Sequence, residues 1–200
     1  MKVAHRRTPA VEVRHCLLEA AARLLQREGT DALSVRHIAA EAGVAPMCVY
    51  NRFGGKNGIV DELFIDGFDG LATRMRSIGV SDAREALAAS AECYWSFAKE
   101  RPELYAVMFD RAVSGYTPSD EARQHAADCF GTLVALVDRG IDAGVLAPAD
   151  PVDVAQQLWA SMHGLVSLTV RGLGFIDDVD GFRRRLVRTL LHGLSSCHEA

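Results

Sequence analysis

The sequence predicts an all-α fold of about nine helices: a three-helix helix-turn-helix head followed by a helical body. Three observations carry this expectation. Apolar residues recur at three- and four-residue spacing in one segment after another along the 200 residues. Beyond Leu71 no segment reads as a strand and none as a nucleotide-binding loop. The stretch from Ser34 to Lys56, SVRHIAAEAGVAPMCVYNRFGGK, holds two short apolar stripes separated by a glycine turn.

In chain order, His5, Arg6 and Arg7 form a basic arm, and Thr8-Pro9 reads as a helix start. Val13, Leu17, Ala20, Ala21 and Leu24 make a stripe that runs to about Glu28 and is closed by Gly29. Val35, Ile38, Ala39 and Ala42 form one face of a short second helix, with Ser34 placed to cap it. Gly43 tolerates the left-handed backbone that ends a helix sharply. Val44 then fills the angle, and Pro46 suits the first turn of a third helix. Val49 and Phe53 are its buried side, which leaves Met47, Cys48, Asn51 and Arg52 facing outward. A short helix with small and polar outward residues suits a DNA major groove.

Gly54-Gly55 breaks the chain, and Lys56 opens a fourth helix with Ile59, Leu63, Gly67 and Leu71 along one side. A lysine at a helix N-terminus opposes the macrodipole, and a bound phosphate reverses that penalty. After a turn at Gly79–Asp82, Leu87, Ser90, Ala91, Tyr94, Phe97 and Ala98 trace a fifth helix. Arg101-Pro102 starts a shorter one with Leu104, Tyr105, Met108 and Phe109. Past a loop at Ser114–Pro118, Ala122, Ala126, Cys129, Phe130, Leu133, Val137 and Ile141 make a long helix. Val154, Leu158, Trp159, Met162, Leu165, Val166 and Thr169 make the eighth, between the breaks Gly144–Pro151 and Gly172–Asp178. Phe182, Leu186, Leu190 and Leu194 mark the last.

The stretch around the two short helices resembles the TetR (tetracycline-repressor-like) family of bacterial transcriptional regulators. Gly29, Ser34-Val35-Arg36, Ile38-Ala39, Ala42-Gly43-Val44, Val49-Tyr50, Phe53 and Lys56 carry the likeness. The family usually has Ser or Thr at the position of Ala45, capping the recognition helix and touching a phosphate. It often has His or Tyr where this chain has Arg52. Further on, Trp159-Ala160-Ser161-Met162-His163-Gly164 is similar to a Trp-His-Gly C-terminal subgroup, as are Arg101-Pro102-Glu103-Leu104-Tyr105 and Met108-Phe109. The resemblance implies a DNA-binding domain over residues 1–56 and a ligand-binding and dimerisation domain over 57–200. It implies a homodimer that reads a pseudo-palindrome in double-stranded DNA and is released by a small apolar or aromatic effector.

Composition is consistent with this. Residues 1–58 hold nine Lys/Arg against five Asp/Glu, a balance of +4. The remainder holds 13 against 21, a balance of −8, so the net charge is −4. A basic head on an acidic body puts the attraction for DNA at one end. No apolar run approaches the roughly 20 residues of a membrane span. The N-terminus lacks the apolar segment of a secretory signal. Five scattered cysteines (16, 48, 93, 129 and 197) without a CxxC pair fit reduced thiols. These features lead to the expectation of a cytoplasmic protein.

The candidate DNA contacts are Arg36, Ala45, Pro46, Met47, Tyr50, Asn51, Arg52 and Lys56. Tyr50 and Lys56 are read as phosphate contacts, against a packed aromatic and an exposed lysine. Arg36 is open between phosphate, a guanine edge and a plain surface charge. Pro46, Met47 and Asn51 are where base discrimination would arise, Met47 at a thymine methyl and Asn51 at adenine. Candidate pocket residues are Tyr94, Phe97, Tyr105, Met108, Phe109, Phe130, Trp159 and His163, each of which also fits a plain core. Tyr116 could close over such a pocket. Trp159, Met162, Leu186, Leu190 and Leu194 are the candidate dimer contacts.

His163 has no second His, Cys or carboxylate at ligand spacing, so no metal is expected, and no cofactor. The alternatives are an all-helical enzyme, for which no nucleophile motif or phosphate loop is present, and a DNA-binding protein without a ligand.

Overall fold

The computed structural model describes residues 10–110 and 113–195. The basic arm at His5–Arg7, the helix start at Thr8-Pro9 and Cys197 lie outside the described residues. Among those described, nine α-helices and one 3-10 turn account for the architecture, and there is no strand.

The helices are α1 (Ala10–Glu28), α2 (Val35–Glu41), α3 (Met47–Phe53), α4 (Lys56–Arg76), α5 (Ala83–Glu100), α6 (Pro102–Phe109), α7 (Asp120–Asp142), α8 (Pro151–Val170) and α9 (Val179–Gly193). The 3-10 turn, Thr30–Ala32, lies between α1 and α2. The chain divides into two compact units. The first runs up to Gly67 and adds Arg101–Gln124; the second is Phe68–Glu100 with the described residues from His125 onward. The divisions fall inside α4 and α7.

In the first unit α1 packs on the 3-10 turn, α2, α3 and α6. Of the stripe anticipated for α1, Leu17, Ala20, Ala21 and Leu24 are buried and Val13 is half-buried, and Leu25 joins them in the core. Ile38 and Ala39 of α2, Val49 of α3 and Ile59, Val60 and Leu63 of α4 are buried as well. Ion pairs fix α2 to α1 on the outside. Glu41 takes Arg23 and Arg27 of α1, each at 3.1 Å. Hydrogen bonds from Arg27 and then Arg23 hold the Glu41 carboxyl below its usual range.

A loop returns to α4 in this unit. Tyr116 Oη donates to Asp61 Oδ1 at 2.6 Å, and the Ser119 amide donates to the same oxygen at 3.2 Å. The Tyr116 ring lies 6.4 Å from that of Phe64. Tyr116 is therefore bonded to an α4 carboxylate, a role the loop sequence alone did not suggest. Burial and the Asp61 hydrogen bond push its phenol well above its usual range.

In the second unit α5 packs on α8 and α9. Pro151 occupies the first turn of α8, and Asp150 caps it by accepting the Val152 amide at 2.9 Å. Asp178 caps α9 through the Gly181 amide at 2.8 Å. Val187 and Leu191 are the buried apolar residues of α9, and Arg183 is buried beside them at 7% exposure. Leu186, Leu190 and Leu194 are half-buried. The leucine stripe of the sequence is thus flanking, and the inward stripe lies one residue further on.

Cys129 of α7 is buried, and burial pushes its thiol up to about 12. A raised thiol value means the folded state holds its proton longer than the unfolded chain. Its stabilisation is complete below the ordinary thiol range and is lost as pH rises through about 12. Cys129→Ala should therefore flatten the fall of the thermal midpoint between neutral and strongly alkaline pH. An identical fall in both proteins would show that other groups set the alkaline limit.

Candidate nucleic-acid interface

The geometry of α2 and α3 comes from three local devices. Ser34 accepts the His37 amide at 3.2 Å and starts α2. Gly43, at φ +67°, ends it. The Val44 amide then reaches the Ala39 carbonyl at 2.9 Å, and the Gly43 amide reaches Ala40 at 3.1 Å. This pair of bonds satisfies the last carbonyls of α2 and directs the chain into α3. Gly54, at φ +70°, ends α3 after seven residues, with its amide on the Tyr50 carbonyl at 2.9 Å.

The start of α3 has no side-chain cap. Pro46 already has helical angles, φ −54° and ψ −28°. Ala45 is the last residue before it, and its carbonyl takes the Cys48 amide at 2.9 Å. A methyl there offers no oxygen to a free amide. Ala45→Ser should stabilise the start of α3 by about 1 kcal/mol and tighten DNA binding correspondingly. Unchanged or weaker affinity in a titration against operator DNA would refute this.

With Val49 fully buried and Phe53 half-buried, α3 exposes Met47, Tyr50, Asn51 and Arg52. Met47 is 63% and Tyr50 53% exposed, high for such side chains on a packed helix. Cys48, expected to face outward, is half-buried, because it sits a quarter-turn from Val49. Ala45 and Pro46 are exposed ahead of the helix. The Tyr50 ring lies over Gly55, where an added Cβ would come within 3.7 Å of it. Its hydroxyl makes no hydrogen bond among the described residues. Arg36 and Arg52 are exposed and make no ion pair among the described residues. Arg14, by contrast, is engaged by Glu62 and lies 5.1 Å over the Phe53 ring.

Lys56 opens α4, and its Nζ donates to the Ser114 carbonyl at 3.2 Å. An ammonium has three donors, so two remain for a phosphate. Asn57 reaches the Gly115 carbonyl at 3.5 Å. Sequence reasoning missed Asn57 and the loop that meets it, since no local pattern links residues 58 positions apart.

Of the pocket candidates, the structure brings four together in the second unit. Tyr94 Oη and His163 Nδ1 are 3.0 Å apart. His163 lies 6.0 Å from the Trp159 ring, and Trp159 lies 5.9 Å from Phe130. Phe97 is buried separately beneath Arg74 at 5.5 Å. Tyr105, Met108 and Phe109 belong to the first unit, with the Tyr105 and Phe109 rings 4.8 Å apart. Among the described residues no group of three or more His, Cys, Asp or Glu could hold a metal ion. No helix among them is long and apolar enough to cross a membrane.

Two family models match the chain. One, described as bacterial regulatory proteins of the tetR family, covers residues 17–63. The other, a tetracycline-repressor-like C-terminal domain, covers residues 87–196. The chain belongs to the TetR family. Its N-terminal match contains the whole of α2 and α3, so the exposed helix belongs to a helix-turn-helix shared by transcriptional regulators.

This TetR-family chain is similar to an uncharacterised HTH-type transcriptional regulator of Mycobacterium tuberculosis, Rv0681. The two are 27% identical over 173 residues, 86% of this chain and 76% of the relative. A protein of unknown function from Rhodococcus sp. RHA1 has the same fold, with a TM-score of 0.83 and 26% identity, over 98% of this chain and 100% of that one. The regulator FadR from Bacillus subtilis, solved in complex with stearoyl-CoA, shares the fold at a TM-score of 0.71 and 20% identity, over 90% and 99%.

Proposed function

We propose that this TetR-family regulator is a ligand-responsive repressor, working in the cytoplasm as a homodimer on a pseudo-palindromic operator. The observation that carries the reading is the outward face of α3. Met47, Tyr50, Asn51 and Arg52 are exposed on a helix whose other side is anchored by Val49. A helix of seven residues reads few base pairs, and a two-fold pair places two of them about 34–36 Å apart. Arg36, Arg52, Tyr50 and Lys56 hold phosphates. Ala45 lies at the approach of the helix, and Pro46, Met47 and Asn51 discriminate bases.

The functional division is a DNA-binding domain over 1–56 and an effector and dimerisation domain over 57–200. Trp159, Leu186, Leu190 and Leu194 are half-buried and offer the apolar surface for pairing. Met162, the remaining candidate, is buried within the single chain.

The effector is a small apolar or aromatic molecule. Tyr94, Phe130, Trp159 and His163 are the residues that would meet it, with Phe97, Tyr105, Met108 and Phe109 supporting the helices they belong to. Its binding shifts α4, whose first turns carry Lys56 and the Asp61 tie to the Tyr116 loop. The heads are respaced and DNA is released. No turnover is involved.

The test is capture of fragmented genomic DNA from the source organism by the purified protein, followed by sequencing. Enrichment of a pseudo-palindrome supports the reading, and neighbouring genes then suggest effectors. No enrichment at low or moderate salt overturns the apo-repressor assignment.

A further inference from the structure

The second unit holds a charged feature that neither DNA binding nor the aromatic cluster uses. Between α5 and α9 runs an open groove of about 360 Å³. Its walls carry Arg84 from α5 and Arg183, Arg184 and Arg188 from α9, with Glu92 as the carboxylate among them. Val187 and Leu191 give it an apolar floor.

The arginines are not balanced within the fold. Glu92 is committed to Arg183, which is buried, lies 5.9 Å over Trp95 and reaches Asp180 only at 3.9 Å. The Arg183 Nε is itself buried without a hydrogen-bond partner. Arg184 and Arg188 are exposed and make neither a hydrogen bond nor an ion pair among the described residues. Arg84 has one long contact, 3.4 Å to the Val145 carbonyl. Arg184 and Arg188 are four apart on one face of α9, where like charges repel. A part of the chain with 21 carboxylates after residue 58 thus leaves three guanidinium groups uncompensated in one concave place.

We infer that the α5–α9 groove binds a phosphorylated small molecule carrying at least two linked phosphates. Guanidinium forks match phosphate oxygens in a bidentate way that a carboxylate-poor groove leaves available. Arg184 and Arg188 sit side by side for two adjacent phosphates, and Arg84 closes from the opposite helix. The volume lies at the low end for small-molecule sites, and the apolar floor takes a small uncharged remainder. None of the groove's residues is among the DNA-facing or aromatic residues of the proposed function.

The probe is inorganic pyrophosphate, titrated into the full chain by calorimetry at constant ionic strength without divalent metal. Saturable binding is expected, with a rise in the thermal midpoint. Arg184→Gln/Arg188→Gln should weaken it at least about tenfold. Arg84→Gln should weaken it in the same direction. Without the anion, the double variant should melt at or above the wild-type midpoint, since it loses only repulsion. Lys56→Ala and Arg36→Gln in the head should leave pyrophosphate binding unchanged. Wild-type affinity in the double variant and in Arg84→Gln overturns the site. So does a loss that follows the head variants instead, which would put the anion on the DNA-binding surface.

Discussion

Gly58→Ala should destabilise the first unit by about 3 kcal/mol, at the upper end for an overpacked site. Gly58 lies within α4, where a glycine ordinarily weakens the helix. Its use here is room. A Cβ at this position would lie 1.9 Å from the Phe53 carbonyl oxygen and 2.9 Å from its carbon. These are backbone atoms, so no rotamer change relieves the clash. Relief requires α4 to move away from the end of α3, and that junction sets how α3 and Lys56 are held together. The thermal midpoint should fall by roughly 6–12 °C for a chain of this size. DNA affinity should fall with it, even below the transition, because the α3–α4 angle is strained in the folded state. Gly79→Ala is the matched control. Nothing lies within 4 Å of a Cβ there, so the midpoint should stay put. A Gly58→Ala protein with wild-type midpoint and wild-type DNA affinity would show that α4 starts with more freedom than its spacing to Phe53 allows.

Gly58 illustrates what the sequence could and could not disclose. The sequence places it inside the fourth helix opened at Lys56, but no local pattern shows that close packing against Phe53 requires a glycine there. The α2–turn–α3 unit was legible because its causes are local: the Ser34 cap, the Gly43 turn and Val49 all act within a few residues. The helix count was legible because long stripes at helical spacing leave little choice. Contacts across many residues were not. Lys56 to the Ser114 carbonyl, Tyr116 to Asp61 and Tyr94 to His163 join positions 55 or more apart with no repeating pattern.

α9 was legible only in part. Leu186, Leu190 and Leu194 mark it as a helix and are its candidate dimer contacts, but they do not name its inward residues, since one residue's shift turns a helix by about 100°. Burial falls on Arg183, Val187 and Leu191 instead. An arginine is acceptable inside because Glu92 and the Trp95 ring meet it, and neither partner could be assigned from α9 alone.

Lys56→Ala should weaken DNA binding by about two to four orders of magnitude for every sequence tested. A charge-assisted hydrogen bond to phosphate is worth about 1.5–3 kcal/mol, and a dimer loses it twice. The helix N-terminus still favours an anion at the start of α4 in the variant, so the loss is that of the ammonium alone. Because a cation is removed, the slope of log affinity against log salt should fall by about one per head. Lys56 also donates to the Ser114 carbonyl, so the alanine variant loosens that loop as well. Lys56→Arg separates the two effects. It keeps the charge, and the salt slope should return even where the loop contact is imperfect.

Tyr50→Phe removes one neutral donor on an exposed ring. Its cost should be smaller, about 0.5–1.5 kcal/mol per head, with no change in slope. Asn51→Ala should leave the slope alone and relax preference at one base pair by about 1–3 kcal/mol. The three variants thus divide the exposed face into charge, neutral backbone contact and base reading. If Lys56→Ala binds with an unchanged slope, its ammonium serves the Ser114 loop and not the DNA, and the unpaired Arg36 and Arg52 must carry the phosphates instead.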